Sequence, residues 1–457
     1  MAGRRALVWR VTATRRGVAP ALAAAFLSAA ALLSAAAPAA ATEITRVVSP
    51  GGVEAWLVEA HAIPILSVKI AFRGGAALDP DGKEGLANMV SGLLDEGAGA
   101  LDSQAFQERL EDHAIHLGFS ARLDTFTASL KTLSENTDTA FEMLRLALTE
   151  PRFDPEPVER VRRQIEVGLK RLAEDPDDIA RRTWFEAAFP GHPYGRPVEG
   201  TPASLARISI DDLGAFARAN LARDRLFIGV AGDITPERLG PLLDATFGGL
   251  PQAGADRALA EAEPAAPGRL IVVERDIPQS IVVFGTRGLA RKHPDFYAAY
   301  VMNHILGGGF TSRLKEEVRE KRGLAYGVYS YLSPYDHAAL YLGGVATENA
   351  RIAETLEIIR AEFARMRDNG VTAAEIADAK TYLTGSFPLR LDTNDKIARM
   401  LVGIQLDGLG IDYIERRNDY IEAVTLDDVN RVAATLLNPQ AFEVVIVGKP
   451  EGIEPTN

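Results

Sequence analysis

The chain carries one pattern twice. Pro64 and Pro278, Val68 and Val282, Arg73 and Arg287, Gly74 and Gly288, Pro80 and Pro294, and Asp81 and Asp295 are matched pairs, each 214 positions apart. Further on, Ile208-Ser-Ile-Asp-Asp-Leu213 answers Val424-Thr-Leu-Asp-Asp-Val429, and Val230-Ala-Gly232 answers Ile446-Val-Gly448, at an offset of 216. Two collinear sets at nearly one spacing mark a tandem duplication. The chain must fold as two similar units.

Each unit reads the same way. Residues 53–58 and 63–72 alternate as strands do, with Leu66, Val68, Ile70 and Phe72 on one face and Ser67, Lys69 and Ala71 on the other. An apolar helix follows at 85–94. The second copy has strands at 270–273 and 280–286 and a helix at 296–306. Ser209 and Thr425 stand three residues before Asp212 and Asp428, a helix-start pattern close to the capping box. Both copies then end in a strand, at 226–230 and 442–447. The middles are helical, at 137–148, 157–173, 349–367 and 392–406. An Ala/Pro/Gly-rich stretch at 251–268 without apolar periodicity reads as a linker. The expected fold is α+β: domains 42–250 and 269–457, each a mixed sheet covered by helices mainly on one face.

The first 41 residues differ from the rest. Five arginines, from Arg4 to Arg16, precede an Ala/Leu-rich run at 18–36, and Ala39-Ala-Ala41 offers a small-residue cleavage site. This pattern predicts a signal peptide cleaved after Ala41 and a secreted or periplasmic mature chain. A membrane anchor and a mitochondrial presequence are the alternatives. No later segment is apolar enough to span a bilayer, so no stable membrane insertion is expected after signal removal. The formal charge of −12 argues against nucleic acid and against a polybasic membrane surface. With no cysteine, thiolate zinc sites are excluded, and any metal must use histidines and carboxylates.

One stretch concentrates chemistry. Gly307, Gly308 and Gly309 offer a backbone without Cβ atoms that a substrate chain could approach, with Phe310 beside them. Thr311 or Ser312 can cap a helix carrying Leu314, Val318 and Arg319. Gly323 ends it, and residues 324–331 read as a strand bearing Tyr326, Tyr329 and Tyr331. Helix, turn and strand can aim Arg319 and Tyr326 at one place. An Arg near a helix end and a Tyr on a strand are also ordinary structural features.

This stretch resembles the C-terminal half of the pitrilysin/insulinase zinc peptidases, the inverzincins of peptidase family M16. Phe153-Asp-Pro-Glu-Pro-Val-Glu-Arg160, Glu174-Asp-Pro176, Phe189-Pro-Gly-His-Pro-Tyr-Gly-Arg-Pro197 and Gly307-Gly-Gly-Phe-Thr-Ser-Arg-Leu314 look like family landmarks in family order. The resemblance implies two similar halves closing like a clam shell around a peptide. It also implies substrate-binding roles for Gly307–Phe310 and substrate and oxyanion contacts for Arg319 and Tyr326.

Active members carry H-x-x-E-H, whose histidines bind zinc and whose glutamate takes a proton from metal-bound water. Here the helix reads Gly85-Leu-Ala-Asn-Met-Val-Ser-Gly-Leu93, with Asn88, Ser91 and Gly92 at the motif positions. The distal ligand position falls on Gly168, with Glu166 close by. The resemblance therefore implies no cofactor in this chain and zinc on a homologous partner subunit that keeps H-x-x-E-H. This chain would bind extended peptides and supply Arg319 and Tyr326 in trans. The alternatives are an inert peptide-binding or scaffold protein of the same fold, and the glycine-loop subunit of the mitochondrial processing peptidase. A substitute metal site at His113 and His116 would need both imidazoles on one helical face and a third ligand.

Overall fold

A computed structural model describes residues 43–265 and 268–456 of the chain. The signal-peptide reading of residues 1–41 lies outside the described residues. Eleven strands are described, β1 Thr45–Val48, β2 Glu54–Glu59, β3 Ile65–Arg73, β4 His116–Ala121, β5 Thr125–Leu133, β6 Leu226–Gly232, β7 Leu270–Glu274, β8 Gln279–Arg287, β9 Val328–Pro334, β10 Ala339–Glu348 and β11 Glu443–Gly448. They form two sheets, in the orders β1-β2-β6-β3-β5-β4 and β7-β11-β8-β10-β9.

The duplication extends to the register of the ladders. In the first sheet Val68 lies opposite both Val230 and Leu130. In the second, Val282 lies opposite Ile446 and Val345. The parallel pairs match too, Leu57 with Val230 and Val272 with Ile446. The final helices begin identically. Ser209 and Asp212, and again Thr425 and Asp428, exchange side-chain and backbone hydrogen bonds as reciprocal capping boxes, each satisfying two amides left free at a helix start. Strand β9 overlaps the strand expected at 324–331, whereas β4, β5 and β10 are not expected from the sequence. Glycines and mixed polar residues blur their alternation, as in His116-Leu-Gly-Phe-Ser-Ala121.

The sequence reading put helices mainly on one face of each sheet, and here the structure differs. Helix Asn394–Leu406, from the second half, packs on β3 and β6 of the first. Helix Pro176–Ala188, from the first half, packs on β8 and β11 of the second. Each helix has its own cap: Asp175 accepts from the amides of Asp177 and Asp178, and Thr393 from that of Lys396.

Close approach is permitted by glycine on the strands. A Cβ on Gly229 would lie 2.3 Å from the Ala398 carbonyl oxygen, and one on Gly285 would lie 2.6 Å from the Trp184 ring. Trp184 Nε1 donates to the Glu443 carbonyl across the halves at 3.1 Å. At the central strands both faces are thus covered, which is why all six residues of β11 are buried and why Ser67 and Ala71 are as buried as Leu66 and Val68. Lys69, on this second face, pairs with Asp395 of the exchanged helix.

The described residues of the 251–268 stretch, 251–265 and 268, form no helix or strand and are tied down. Ala255 N–H donates to the Ala219 carbonyl at 2.8 Å, Ala262 N–H to that of His337 at 2.8 Å, and Ala265 N–H to that of Ala188 at 2.7 Å. Among the described residues no helix is long and apolar enough to cross a membrane.

Candidate functional site

The glycine stretch closes the first of two widened helical turns. Helix Phe296–Asn303 continues into a π-helical turn, His304–Gly308, and the segment after the glycines winds as a second, Lys315–Glu320. Such i→i+5 turns are uncommon and concentrate at functional sites. Neither Thr311 nor Ser312 caps the second segment through its side chain. Ser312 is buried, with its Oγ unpartnered, and only its carbonyl takes part, accepting from Glu316 N–H at 2.9 Å.

The glycines are required by the protein's own packing. A Cβ on Gly307 would stand 2.3 Å from Ser330 Oγ and 2.8 Å from Ser330 N; one on Gly308 would meet Asn303 Nδ2 at 2.7 Å, and one on Gly309 the His304 carbonyl at 2.8 Å. Beneath them, Ser330 Oγ bonds Asn303 Oδ1 at 2.8 Å and Tyr341 Oη at 2.9 Å, a buried network that fixes the loop on β9. Gly308 and Phe310 are exposed, whereas Gly307 and Gly309 are buried.

Gly323 ends the helical segment as its sequence position requires. It adopts the left-handed conformation, φ +59°, and its N–H reaches the Arg319 carbonyl at 2.9 Å while Leu324 N–H reaches that of Val318 at 2.9 Å. The strand then starts four residues later than read, at Val328. Leu324 and Ala325 turn inward to the core, and Thr347 Oγ1 holds the Leu324 carbonyl at 2.6 Å. Tyr326 is therefore thrown outward on a turn and is 88% exposed.

The structure brings Arg319 and Tyr326 together. The guanidinium carbon lies 4.9 Å from the ring centroid, in cation–π contact, and Nε is 3.3 Å from Glu320. The aromatic surface continues along β9, where Tyr329 and Tyr331 are exposed and stacked with centroids 6.1 Å apart. Lys315 Nζ lies 5.5 Å from the Phe310 ring.

In the first half, the motif helix is Leu86–Ser91, packed against the edge strand β4. Asp79 accepts from the N–H groups of Gly85 at 2.9 Å and Ala87 at 3.0 Å. Burial pushes the Asp79 carboxyl up to about 7, against the lowering effect of these amides.

The residues at the motif positions do not fit zinc. Ser91 Oγ donates to the Asn88 carbonyl at 2.8 Å, and Gly92 and Gly168 have no side chain to offer. A Cβ on Gly92 would lie 3.2 Å from Val161 Cγ1, so helix Pro155–Leu172 faces this point. Gly168, seven residues on from Val161, shares that face, while Glu166 is turned away by about 140°. Among the described residues no three His, Asp or Glu side chains are grouped to hold a metal ion.

His113 and His116 do not share a helical face. Helix Ser103–Asp112 ends before them; His113 bonds the Arg109 carbonyl and His116 opens β4. His192 is structural, accepting from Tyr194 N–H at 3.2 Å in its Pro/Gly turn.

Comparison with known proteins agrees with the landmarks. The family model described as insulinase (peptidase family M16) matches residues 56–202, and that described as peptidase M16 inactive domain matches residues 207–383. A Helicobacter pylori protein described as non-peptidase homolog YmxG is 28% identical over 393 residues, 85% of this chain and 90% of the relative. A Streptomyces coelicolor protein described as an uncharacterized zinc protease is 30% identical, spanning 67% of this chain and 68% of that one. The crystal structure of a peptidase M16 inactive domain from Pseudomonas fluorescens superposes with a TM-score of 0.84 at 26% identity, covering 91% of this chain and all of that one.

Proposed function

The chain belongs to peptidase family M16, the insulinase family, and from that membership we propose that it is a secreted, non-catalytic subunit of a two-chain zinc peptidase. A homologous partner with an intact H-x-x-E-H helix holds the zinc. This chain contributes peptide-binding surface and the Arg319–Tyr326 pair.

One observation carries the reading. Arg319 and Tyr326 are in contact at 4.9 Å on open surface, in a chain whose motif positions 88, 91, 92 and 168 have lost their ligand groups. At 88% exposure Tyr326 buries too little area to matter for stability, so packing does not account for it. The guanidinium is a fixed fork of donors for a peptide, and the phenol can donate to a carbonyl oxygen as negative charge develops on it. Strand β4 lies at the edge of its sheet beside the motif helix and leaves main-chain groups free to pair with an extended peptide. The relatives described as a non-peptidase homolog and an inactive domain support the non-catalytic role. Export to the periplasm rests on the pattern ending at Ala41, and N-terminal sequencing of the native protein is expected to begin at Thr42.

The test is turnover in a complex reconstituted with the partner. Tyr326→Phe lowers kcat by about 10²–10³-fold and leaves assembly and KM nearly unchanged. Arg319→Ala raises KM as well as lowering kcat. If Tyr326→Phe leaves kcat unchanged while the partner's zinc remains essential, the chain is an inert scaffold and the proposal fails.

A further inference from the structure

A cavity of about 580 Å³ opens at the end of β4. Its walls are the turn after β4, the C-terminal end of helix Pro155–Leu172, one side of helix Pro176–Ala188, the 194–199 loop, and Arg275 and Tyr335 from the second half. The size is that of a ligand site rather than a packing void. It adjoins the edge strand, since Ala121 is the last residue of β4, and helix Pro155–Leu172 contributes Leu169 and Leu172 to its wall.

The lining is unusual for so acidic a chain. Arg122, Arg181, Arg182, Arg196 and Arg275 face the cavity, against three carboxylates, Asp178, Glu186 and Glu199. Arg181 is paired with Asp178 at 2.9 Å and Arg182 with Glu186 at 2.9 Å. The partner of Arg196, Asp81, is not among the lining residues. Arg122 and Arg275 have no carboxylate partner among the described residues; Arg275 Nη1 donates only to the Glu274 carbonyl. Interspersed are Leu169, Leu172 and Phe185, which suit the aliphatic stem of a long side chain.

We propose that this cavity is a subsite for glutamate or aspartate side chains of an extended peptide, held by Arg122 and Arg275. The proposal rests on the reading that the chain binds extended peptides along β4. Two guanidinium groups without counter-ions are matched by carboxylates, and a lysine side chain is repelled.

The experiment is fluorescence anisotropy on the mature chain with three fluorescein-labelled Ala/Ser decapeptides, each with two central residues, Glu, Gln or Lys. The Glu peptide is expected to bind about tenfold more tightly than the Gln peptide, and the Lys peptide more weakly than both. The difference should shrink as salt is raised from about 0.05 to 0.5 M. The double variant Arg122→Gln, Arg275→Gln should bind the Glu and Gln peptides equally, and both positions are exposed, so folding is preserved. Equal binding of all three peptides by the unaltered chain overturns the proposal, as does a Glu preference that survives in the double variant. Those results leave the Tyr326→Phe test untouched, so loss of the subsite and loss of the subunit reading are told apart.

Discussion

Arg313 grips Glu375 through two charge-assisted hydrogen bonds, Nε to Oε1 at 2.6 Å and Nη2 to Oε2 at 2.8 Å. A third bond runs from Nη2 to the Gly370 carbonyl at 3.1 Å. Glu375 is also the third residue of the capping box that starts helix Ala373–Gly385. The glycine loop is thus fastened to a helix start by a buried arginine. Replacing it by Arg313→Met strands a part-buried carboxylate and should cost about 2–4 kcal/mol in urea unfolding. A loss below about 0.5 kcal/mol would mean that the pair is screened as a surface pair is.

The same pair makes stability depend on acid. Burial acts to raise the Glu375 carboxyl, but the Arg313 guanidinium and the Thr372 N–H and hydroxyl outweigh it and hold it at about 2. The folded value lies below the unfolded one, so the stabilisation is present above about pH 4.5 and drains as pH falls from there towards 2. Discounted for partial exposure, it is on the order of 2 kcal/mol. The Glu375→Gln protein should lose that share of the dependence, read as unfolding midpoint against pH between about 2 and 5.

Glycines that look alike in sequence should respond differently. Gly307→Ala drives a Cβ into Ser330 at 2.3 Å and should destabilise by about 1–3 kcal/mol or more. Gly327→Ala meets nothing within 4 Å and should be near neutral. Gly323→Ala also meets nothing but sits at φ +59° and should cost about 1 kcal/mol. Thermal melts of the three single variants check the order.

Restoring zinc takes more than the motif. The triple variant Asn88→His, Ser91→Glu, Gly92→His stays one ligand short and must seat a histidine where Val161 lies 3.2 Å from the new Cβ. It should bind zinc weakly and cleave poorly. Adding Gly168→Glu, into a position with nothing within 4 Å of its Cβ, should tighten zinc by at least about tenfold in chelator competition. Stoichiometric tight zinc in the triple variant alone would refute this.

Much of this was legible in residue patterns. Periodicity found β3, and Ser209 and Thr425 announced their helices, because those signals are local. The Arg319–Tyr326 contact followed from Gly323, whose left-handed turn sequence alone predicts. The exposed turn that holds Tyr326 was not legible, since it depends on Leu324 and Ala325 joining a core built from distant segments. Nor was the cover over the second face of each sheet. Lys69 looks like a solvent-facing residue until Asp395 is placed over it.

The exchanged helices make the two copies mutually dependent. Each sheet is finished by a helix encoded in the other copy, so neither half buries both faces of its own strands by itself. Cutting the chain within 251–268 would not release two autonomous domains; it would leave two fragments with bare apolar sheets that regain structure only when mixed. The pair Lys69–Asp395 spans 326 positions of chain, so the last native contacts close the longest loops and folding should be slow. A duplication that began as two interchangeable units has become one unit of inheritance, in which a substitution on helix Pro176–Ala188 is felt first in the sheet of the other copy.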